Sequence, residues 1–264
     1  MILNHYRMPL TILKKTIKSP CEFIDNLAKT SLVHHLRYLK VKSTYNYWDN
    51  YGIIESMKKF ENLSALNFNF MIYHNIPLKY DMKNSWLKLK SLTLDFYFLK
   101  GSKNLLIQFL HGGYHNNLTR LRLLDLKFRP CFSKHFNGRQ LPNLTHLELI
   151  NVNLKTLSFI SLFSSLLSMS KLSYLHIEFT VNEKIPQTIN NNIDQMQYQN
   201  DSELLYQFPV QQINLIEKFM MKHPSIESIF FYDWPGLSLD HLIHLKQIAA
   251  NRMINFTYRC YNNL

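Results

Sequence analysis

The apolar phrase Leu-x-x-Leu-x-Leu, or a close variant of it, occurs eight times along this chain. The copies start at residues 36, 63, 89, 121, 144, 172, 226 and 253, at steps of 27, 26, 32, 23, 28, 54 and 27 residues. The last two apolar positions of each copy are two residues apart, so in a β-strand both side chains point to the same face. The pattern therefore predicts a series of short strands, each with one buried face.

A phrase of this kind at a period of about 20 to 29 residues is typical of leucine-rich repeats. We expect an α/β fold: a curved leucine-rich-repeat solenoid with about seven or eight parallel strands on its concave face and helical or irregular returns on its convex face. Residues 1–34 are predicted to form an N-terminal segment with a capping helix, and residues 35–264 the repeat domain. The 54-residue step and an Asn- and Gln-rich stretch indicate an insertion at 181–208.

Helical returns are predicted where apolar residues recur at helical spacing, at 102–111, 155–169, 211–222 and 238–250. The sequence Ser19-Pro20-Cys21-Glu22 is a capping box with proline at the first helical position, which predicts the N-terminal capping helix. The 23-residue step has no room for a full helix and predicts an irregular or 3₁₀ return.

A column of phenylalanines lies two residues beyond the last position of the phrase. Its members are Phe70, Phe96, Phe128 and Phe179. An exposed binding stripe is one interpretation of this column. The strand pleat favours the other interpretation, a stacked aromatic spine inside the solenoid.

Composition limits the class of protein. The three cysteines, Cys21, Cys131 and Cys260, are far apart and suggest neither a disulfide framework nor a zinc cluster. We find no secretory signal, and the longest apolar run, 157–169, is too short to span a bilayer. We therefore expect a reduced protein of the cytoplasm or nucleus that does not associate with membranes.

No motif for catalysis or for a cofactor is present in the sequence, so we expect a protein that is not an enzyme and has no cofactor. His111-Gly112-Gly113 resembles an oxyanion loop but lacks a nucleophile elbow, and we interpret it as a helix stop. His241 and His244 lie at i and i+3 of a predicted helix, and no third ligand accompanies them. No metal site is therefore predicted.

Residues that alternate with the buried strand positions should face the concave surface, and nine of them form the predicted protein-binding site. They are Lys40, Asn67, Asp95, Asp125, Glu148, His176, Glu178, Phe230 and Tyr232. This set is acidic in its middle and aromatic at its end, although the whole chain carries a formal net charge of +12. A polypeptide with a basic or mixed segment fits such a face. The alternatives are a merely solvated face, or a basic scaffold that binds nucleic acid or other acidic partners through its edges.

The repeats resemble the irregular leucine-rich repeats of fungal F-box proteins, which belong to the RNI-like class. The residues Ile12-Leu13-Lys14-Lys15-Thr16-Ile17 and Phe23-Ile24 are similar to the segment between F-box and repeats in that family. The resemblance implies that the repeats select substrates for an F-box-type (SCF) ubiquitin ligase, whose Skp1 adaptor binds the F-box. The F-box itself is expected to be absent or truncated here, so adaptor binding is implied only for a longer form.

Overall fold

Eight β-strands form the framework of the chain, and every described pairing between them is parallel. The computed structural model describes residues 20–41, 50–69, 85–96, 106, 109–110, 114–126, 132, 135–152, 154, 156–180, 209–234 and 237–259. The strands, in chain order, are β1 (Tyr38–Val41), β2 (Ala65–Asn69), β3 (Ser91–Asp95), β4 (Arg120–Leu124), β5 (His146–Val152), β6 (Tyr174–Phe179), β7 (Ser228–Tyr232) and β8 (Asn255–Arg259). The helices are α1 (Pro20–Ala28), α2 (Asn50–Met57), α3 (Thr156–Leu166), α4 (Pro209–Lys222) and α5 (Leu239–Asn251), with a 3₁₀ helix at Ser31–His34. This confirms an α/β fold with parallel strands.

The chain divides into two compact units. Unit 1 comprises Met1–Leu126 and Gln140–Leu144, and unit 2 comprises Lys127–Arg139 and Thr145–Leu264. Strands β1 to β4 belong to unit 1 and strands β5 to β8 to unit 2. The division lies within the range 35–264, and the predicted boundary at residue 34 stays a prediction. The predicted insertion at 181–208 lies outside the described residues.

In unit 1 the helices α1 and α2 pack against each other beside the first strands. Asp25 of α1 accepts from Lys59 Nζ just beyond α2 at 2.5 Å and from Lys29 Nζ at 3.0 Å. These two hydrogen bonds lower the pKa of Asp25 to about 2. Trp86 is buried, and its indole Nε1 donates to the carbonyl oxygen of Met57 at 2.9 Å. The core of the unit is therefore closed by an aromatic ring whose polar atom is satisfied.

In unit 2 the buried face of the strands packs on α3 and α4 through aromatic rings. Phe159 and Phe163 of α3 stack at 4.5 Å between centroids, and Phe163 meets Phe231 of β7 and Phe219 of α4 edge to face. Helix α3 packs on α4, and α4 on α5. Burying one such ring stabilises the fold by about 1.5–3 kcal/mol, against about 0–1 kcal/mol for an exposed ion pair. The apolar face therefore dominates the stability of this unit.

The register of β4 differs from the predicted one. Leu92 of β3 pairs with Leu121 and Leu94 pairs with Leu123, so the phrase of this strand starts at Leu118 rather than at Leu121. The strand starts then follow at steps of 27, 26, 29, 26, 28, 54 and 27 residues, which replaces the irregular steps of 32 and 23. Asp125, which we predicted on the outward face, lies just after the end of the strand.

Three strands end in an aspartate or asparagine with left-handed backbone conformation. Asp125 has φ 56°, Asn151 has φ 52° and Asp233 has φ 53°. These residue types tolerate positive φ best among non-glycine residues. The next residue then returns to the core in each case, as Leu126, Val152 and Trp234. In β3 and β6 simple alternation places Phe96 and Phe179 in the core instead, which confirms the buried interpretation of these two phenylalanines; Phe70 and Phe128 lie outside the described residues.

A ladder of short polar side chains joins successive strands at their starts. The residue before the first leucine of the phrase donates its amide to a carbonyl one period earlier: Asn62 Nδ2 to His34 O at 2.7 Å and Asn117 Nδ2 to Leu87 O at 2.7 Å. The residue after that leucine donates its hydroxyl in the same way, Ser64 to Arg37 O and Thr119 to Lys90 O. The Asn-Leu-Ser/Thr strings of the sequence are therefore structural.

The predicted helices are confirmed at 211–222 and 238–250, as α4 and α5, and within 155–169, as α3. The hydroxyl of Ser238 caps α5 by accepting from His241 N. Helix α1 begins at Pro20, as the capping box predicted. The return at 135–145 forms turns, as expected for a short return. Only Leu106, Phe109 and Leu110 of the predicted helix 102–111 are described, and α2 was not predicted.

Candidate functional site

The outward face of the strands, opposite the buried leucines, carries the candidate site. On each strand the outward side chains alternate with the buried ones and are partly exposed. Eight of the nine predicted residues lie on this face: Lys40, Asn67, Asp95, Glu148, His176, Glu178, Phe230 and Tyr232. Their placement on the strands follows from the pleat. Whether they bind a protein is not decided by placement.

Asp125 is the exception, and its removal changes the charge of unit 1. In the observed register, the outward positions of β4 are Arg120, Arg122 and Leu124. Both arginines are exposed. The predicted acidic middle of the face is therefore wrong on β4, where the structure places two positive charges in place of one carboxylate. The argument that the basic excess lies away from the strand face fails at the same point.

The outward face of unit 1 is polar and basic. Besides the two arginines it carries Lys40 on β1, and Asn69 donates its amide to Asp95 Oδ2 at 2.7 Å between β2 and β3. The starts of the strands add further cations. Arg37 and Lys88 are exposed there, and both donate to Asn62, Arg37 to its backbone oxygen and Lys88 to its Oδ1.

The outward face of unit 2 is aromatic. His146 of β5 stacks on Tyr174 of β6 at 5.4 Å between ring centroids, and Tyr174 lies 5.2 Å from Phe230 of β7. His176, also on β6, lies 6.2 Å from Phe230 and 4.9 Å from Tyr232. These five rings, which we call the ring cluster, extend over three strands. Each is partly exposed to solvent.

Two carboxylates and one guanidinium border the ring cluster. Glu148 of β5 is in register with His176, and Glu178 of β6 is in register with Tyr232. Arg259 of β8 is in register with Tyr232 from the other side, and its guanidinium carbon lies 5.9 Å from the ring centroid. The arrangement places a tyrosine between a carboxylate and a cation–π partner. It can hold flat or cationic groups against a rigid sheet.

Sequence reasoning missed His146, Tyr174, Arg120 and Arg259 as surface residues. The prediction used only the two outward positions that follow the first buried strand residue. The residue before that position also points outward, because side chains alternate along the whole strand. Counting this third column would have found His146, Tyr174 and Arg120 from the sequence alone.

The described residues provide no alternative chemistry. Among them no group of three or more histidine, cysteine, aspartate or glutamate side chains could hold a metal ion. Of the histidine pair, His241 Nδ1 lies 2.8 Å from the hydroxyl of Ser238, and His244 Nε2 lies 2.7 Å from Glu217 Oε1. Both are thus accounted for by local contacts. His111-Gly112-Gly113 lies outside the described residues.

No described helix has the length and apolar character that a membrane span requires. The chain matches no known protein family, no curated protein and no solved structure.

Proposed function

We propose that this protein is a leucine-rich-repeat solenoid, curved with its strands on the concave side, that binds other proteins through its strand face and performs no catalysis. The observation that carries the proposal is the ring cluster of unit 2. Five rings contact one another on an outward sheet face, at positions where solvation would be served by small polar side chains. Aromatic side chains are enriched in the cores of protein interfaces.

Rigid presentation supports the same conclusion. The rings stand on parallel strands whose opposite side is buried against α3 and α4, so their positions are held by the core. Tyrosine and histidine bury large area at a low cost in side-chain entropy and keep a polar atom for hydrogen bonding. A partner therefore gains contact area without having to order the site.

The resemblance of the repeats to fungal F-box proteins adds a more specific proposal. In a longer form that contains an F-box, the chain would act as the substrate receptor of an SCF-type ubiquitin ligase, with the Skp1 adaptor bound to the F-box. The strand face would then select the substrate. In the form described by the present sequence, the proposal is limited to binding of a protein substrate or ligand.

Affinity capture followed by mass spectrometry tests the proposal. We expect the double variant Phe230→Ser, Tyr232→Ser to lose at least about tenfold of the partner captured by the unaltered chain, since removing two central rings costs more than about 1.4 kcal/mol. Recovery of Skp1 and a cullin in the same capture would support the ligase role.

The control is Leu157→Ser, which removes an apolar side chain that is 70% exposed on α3. This variant should capture the partner as the unaltered chain does. If both variants capture the same partner at equal yield, the ring cluster is not the binding site. Circular dichroism of the double variant establishes that its fold is intact.

A second candidate function is favoured by Arg120 and Arg122, namely binding of an acidic partner to the outward face of unit 1. The test is the affinity for a labelled single-stranded DNA and for a labelled polyglutamate peptide. Binding should weaken steeply between about 50 and 200 mM salt, and the double variant Arg120→Ala, Arg122→Ala should reduce the slope of this dependence. The matched control, Lys222→Ala with Lys246→Ala, removes two exposed lysines from α4 and α5. Equal effects of the two pairs would reduce the binding to general charge attraction.

A further inference from the structure

We infer that the ring cluster of unit 2 recognises an arginine-rich segment of its protein partner, an inference that rests on the proposed protein-binding function. The outward face of unit 2 combines the two features that hold a guanidinium in place. Aromatic faces attract the cation through their π electrons, and carboxylates next to the rings neutralise its charge.

The chain itself shows how a guanidinium sits on this surface. Arg259 places its guanidinium carbon 5.9 Å from the centroid of Tyr232. Tyr232 is also in register with Glu178 on the neighbouring strand, about 5 Å away at the spacing of strands in a sheet. A tyrosine with a guanidinium on it and a carboxylate beside it is therefore already formed within unit 2.

The same combination recurs one position earlier on the strands without an arginine from the chain. Glu148 of β5 is in register with His176, and His176 is in register with Phe230. The residue of β8 in this row is Thr257 rather than a cation. A partner arginine that lies on Phe230 would thus have a carboxylate at the end of the same row, as Tyr232 has Glu178 in its own row.

Arginine fits better than lysine because its planar guanidinium stacks on rings and forms two parallel hydrogen bonds with a carboxylate. Two rows one strand residue pair apart, about 7 Å, match the spacing of alternate side chains in an extended peptide. We therefore expect the ligand to be an extended segment with arginine at every second position, whose arginines occupy the Phe230 row and compete with Arg259 for the Tyr232 row.

The net charge of the whole chain makes the test discriminating. At +12 the protein repels cationic peptides at long range and attracts anionic ones, so binding of an arginine peptide requires a local site. The probe is a fluorescein-labelled peptide of alternating arginine and glycine, measured by fluorescence polarisation at about 150 mM salt. Its control is the same peptide with citrulline in place of arginine, which keeps the planar shape and removes the charge.

We expect the arginine peptide to bind at least about tenfold more tightly than the citrulline peptide and a few-fold more tightly than a lysine–glycine peptide. Glu178→Gln and Glu148→Gln should each weaken the arginine peptide by about three- to tenfold while leaving the citrulline peptide unchanged. Arg259→Ala should tighten the arginine peptide by a few-fold, because it removes the competing guanidinium. Asp240→Asn, which removes a carboxylate from the exposed start of α5, should have no effect.

Equal binding of arginine and citrulline peptides overturns the inference, and so does an equal effect of Glu178→Gln and Asp240→Asn. The capture experiment separates this failure from that of the proposed function. If Phe230→Ser with Tyr232→Ser abolishes partner capture but the arginine peptide does not bind, the site binds protein and the ligand class is wrong. If capture does not depend on the ring cluster and the peptide does not bind, both are wrong.

Discussion

Leu123→Asp is expected to unfold unit 1, whereas Leu124→Asp at the next position is expected to be tolerated. Leu123 is 0% exposed and lies opposite Leu94 in the sheet, while Leu124 lies on the outward face in register with Asp95. A carboxylate at position 123 enters an apolar core without a partner, which costs several kcal/mol, on the order of the whole stability of a small domain. The same carboxylate at position 124 stays in contact with water and should cost less than about 1 kcal/mol.

Urea denaturation followed by circular dichroism measures both variants against the unaltered chain. The two substitutions have the same chemistry and are adjacent in sequence, so the comparison isolates the register of β4. Similar losses of stability in the two variants, or a larger loss for Leu124→Asp, would restore the register that the sequence suggested. Leu147→Asp, at a fully buried position of β5, provides the reference for a disruptive core charge in unit 2.

The error on β4 has a physical origin in the sequence itself. Residues 118–126 offer two overlapping copies of the phrase, one starting at Leu118 and one at Leu121. The second copy includes Asp125, which alternation would place outward in a strand. The structure instead uses Asp125 to leave the strand with positive φ, and Leu126 then returns to the core. The even strand spacing favours the first copy, and this criterion was available from the sequence.

Most strands and return helices could be predicted because their buried residues are periodic. The leucine phrase marks seven of the eight strands in the observed register, and helical spacing marks α3, α4 and α5. The ring cluster could not be predicted in the same way. Its rings come from strands separated by up to 54 residues in sequence, and only the sheet register brings Tyr174 beside Phe230. Local pattern contains no information about such a pair.

The polar ladder at the strand starts shows a further limit of sequence reasoning. Asn62, Asn117 and Asn143 each donate a side-chain amide to a backbone carbonyl about one period earlier. We looked for a regular asparagine after the strand, as in extracellular repeats, and found none there. The structure places this function before the first leucine, where lysine at position 88 or serine at position 225 can replace asparagine. A ladder that accepts several residue types leaves only a weak sequence signal.

Trp234→Ala is expected to destabilise unit 2 by about 3–5 kcal/mol, because the residual cavity cannot be filled by its rigid neighbours. Trp234 is buried, and its ring stacks on Phe159 at 5.7 Å and on Phe179 at 6.0 Å between centroids. Its Nε1 donates to Gln212 Oε1 at 3.1 Å, and its carbonyl accepts from the hydroxyl of Tyr258 at 3.1 Å. The residue thus joins α3, α4, β6 and β8 at the end of β7.

Two further variants separate the ring from its hydrogen bond. Trp234→Phe keeps an aromatic ring in the stack but leaves the buried Gln212 without its indole donor, so we expect a loss of about 1–3 kcal/mol. Met253→Ala, at a side chain that is 93% exposed, should change the stability by less than about 0.5 kcal/mol. Urea denaturation of the three variants gives the order directly. A Trp234→Ala variant as stable as Met253→Ala would mean that the end of β7 does not pack on α3, and the rigid support that we assign to Phe230 and Tyr232 would be lost with it.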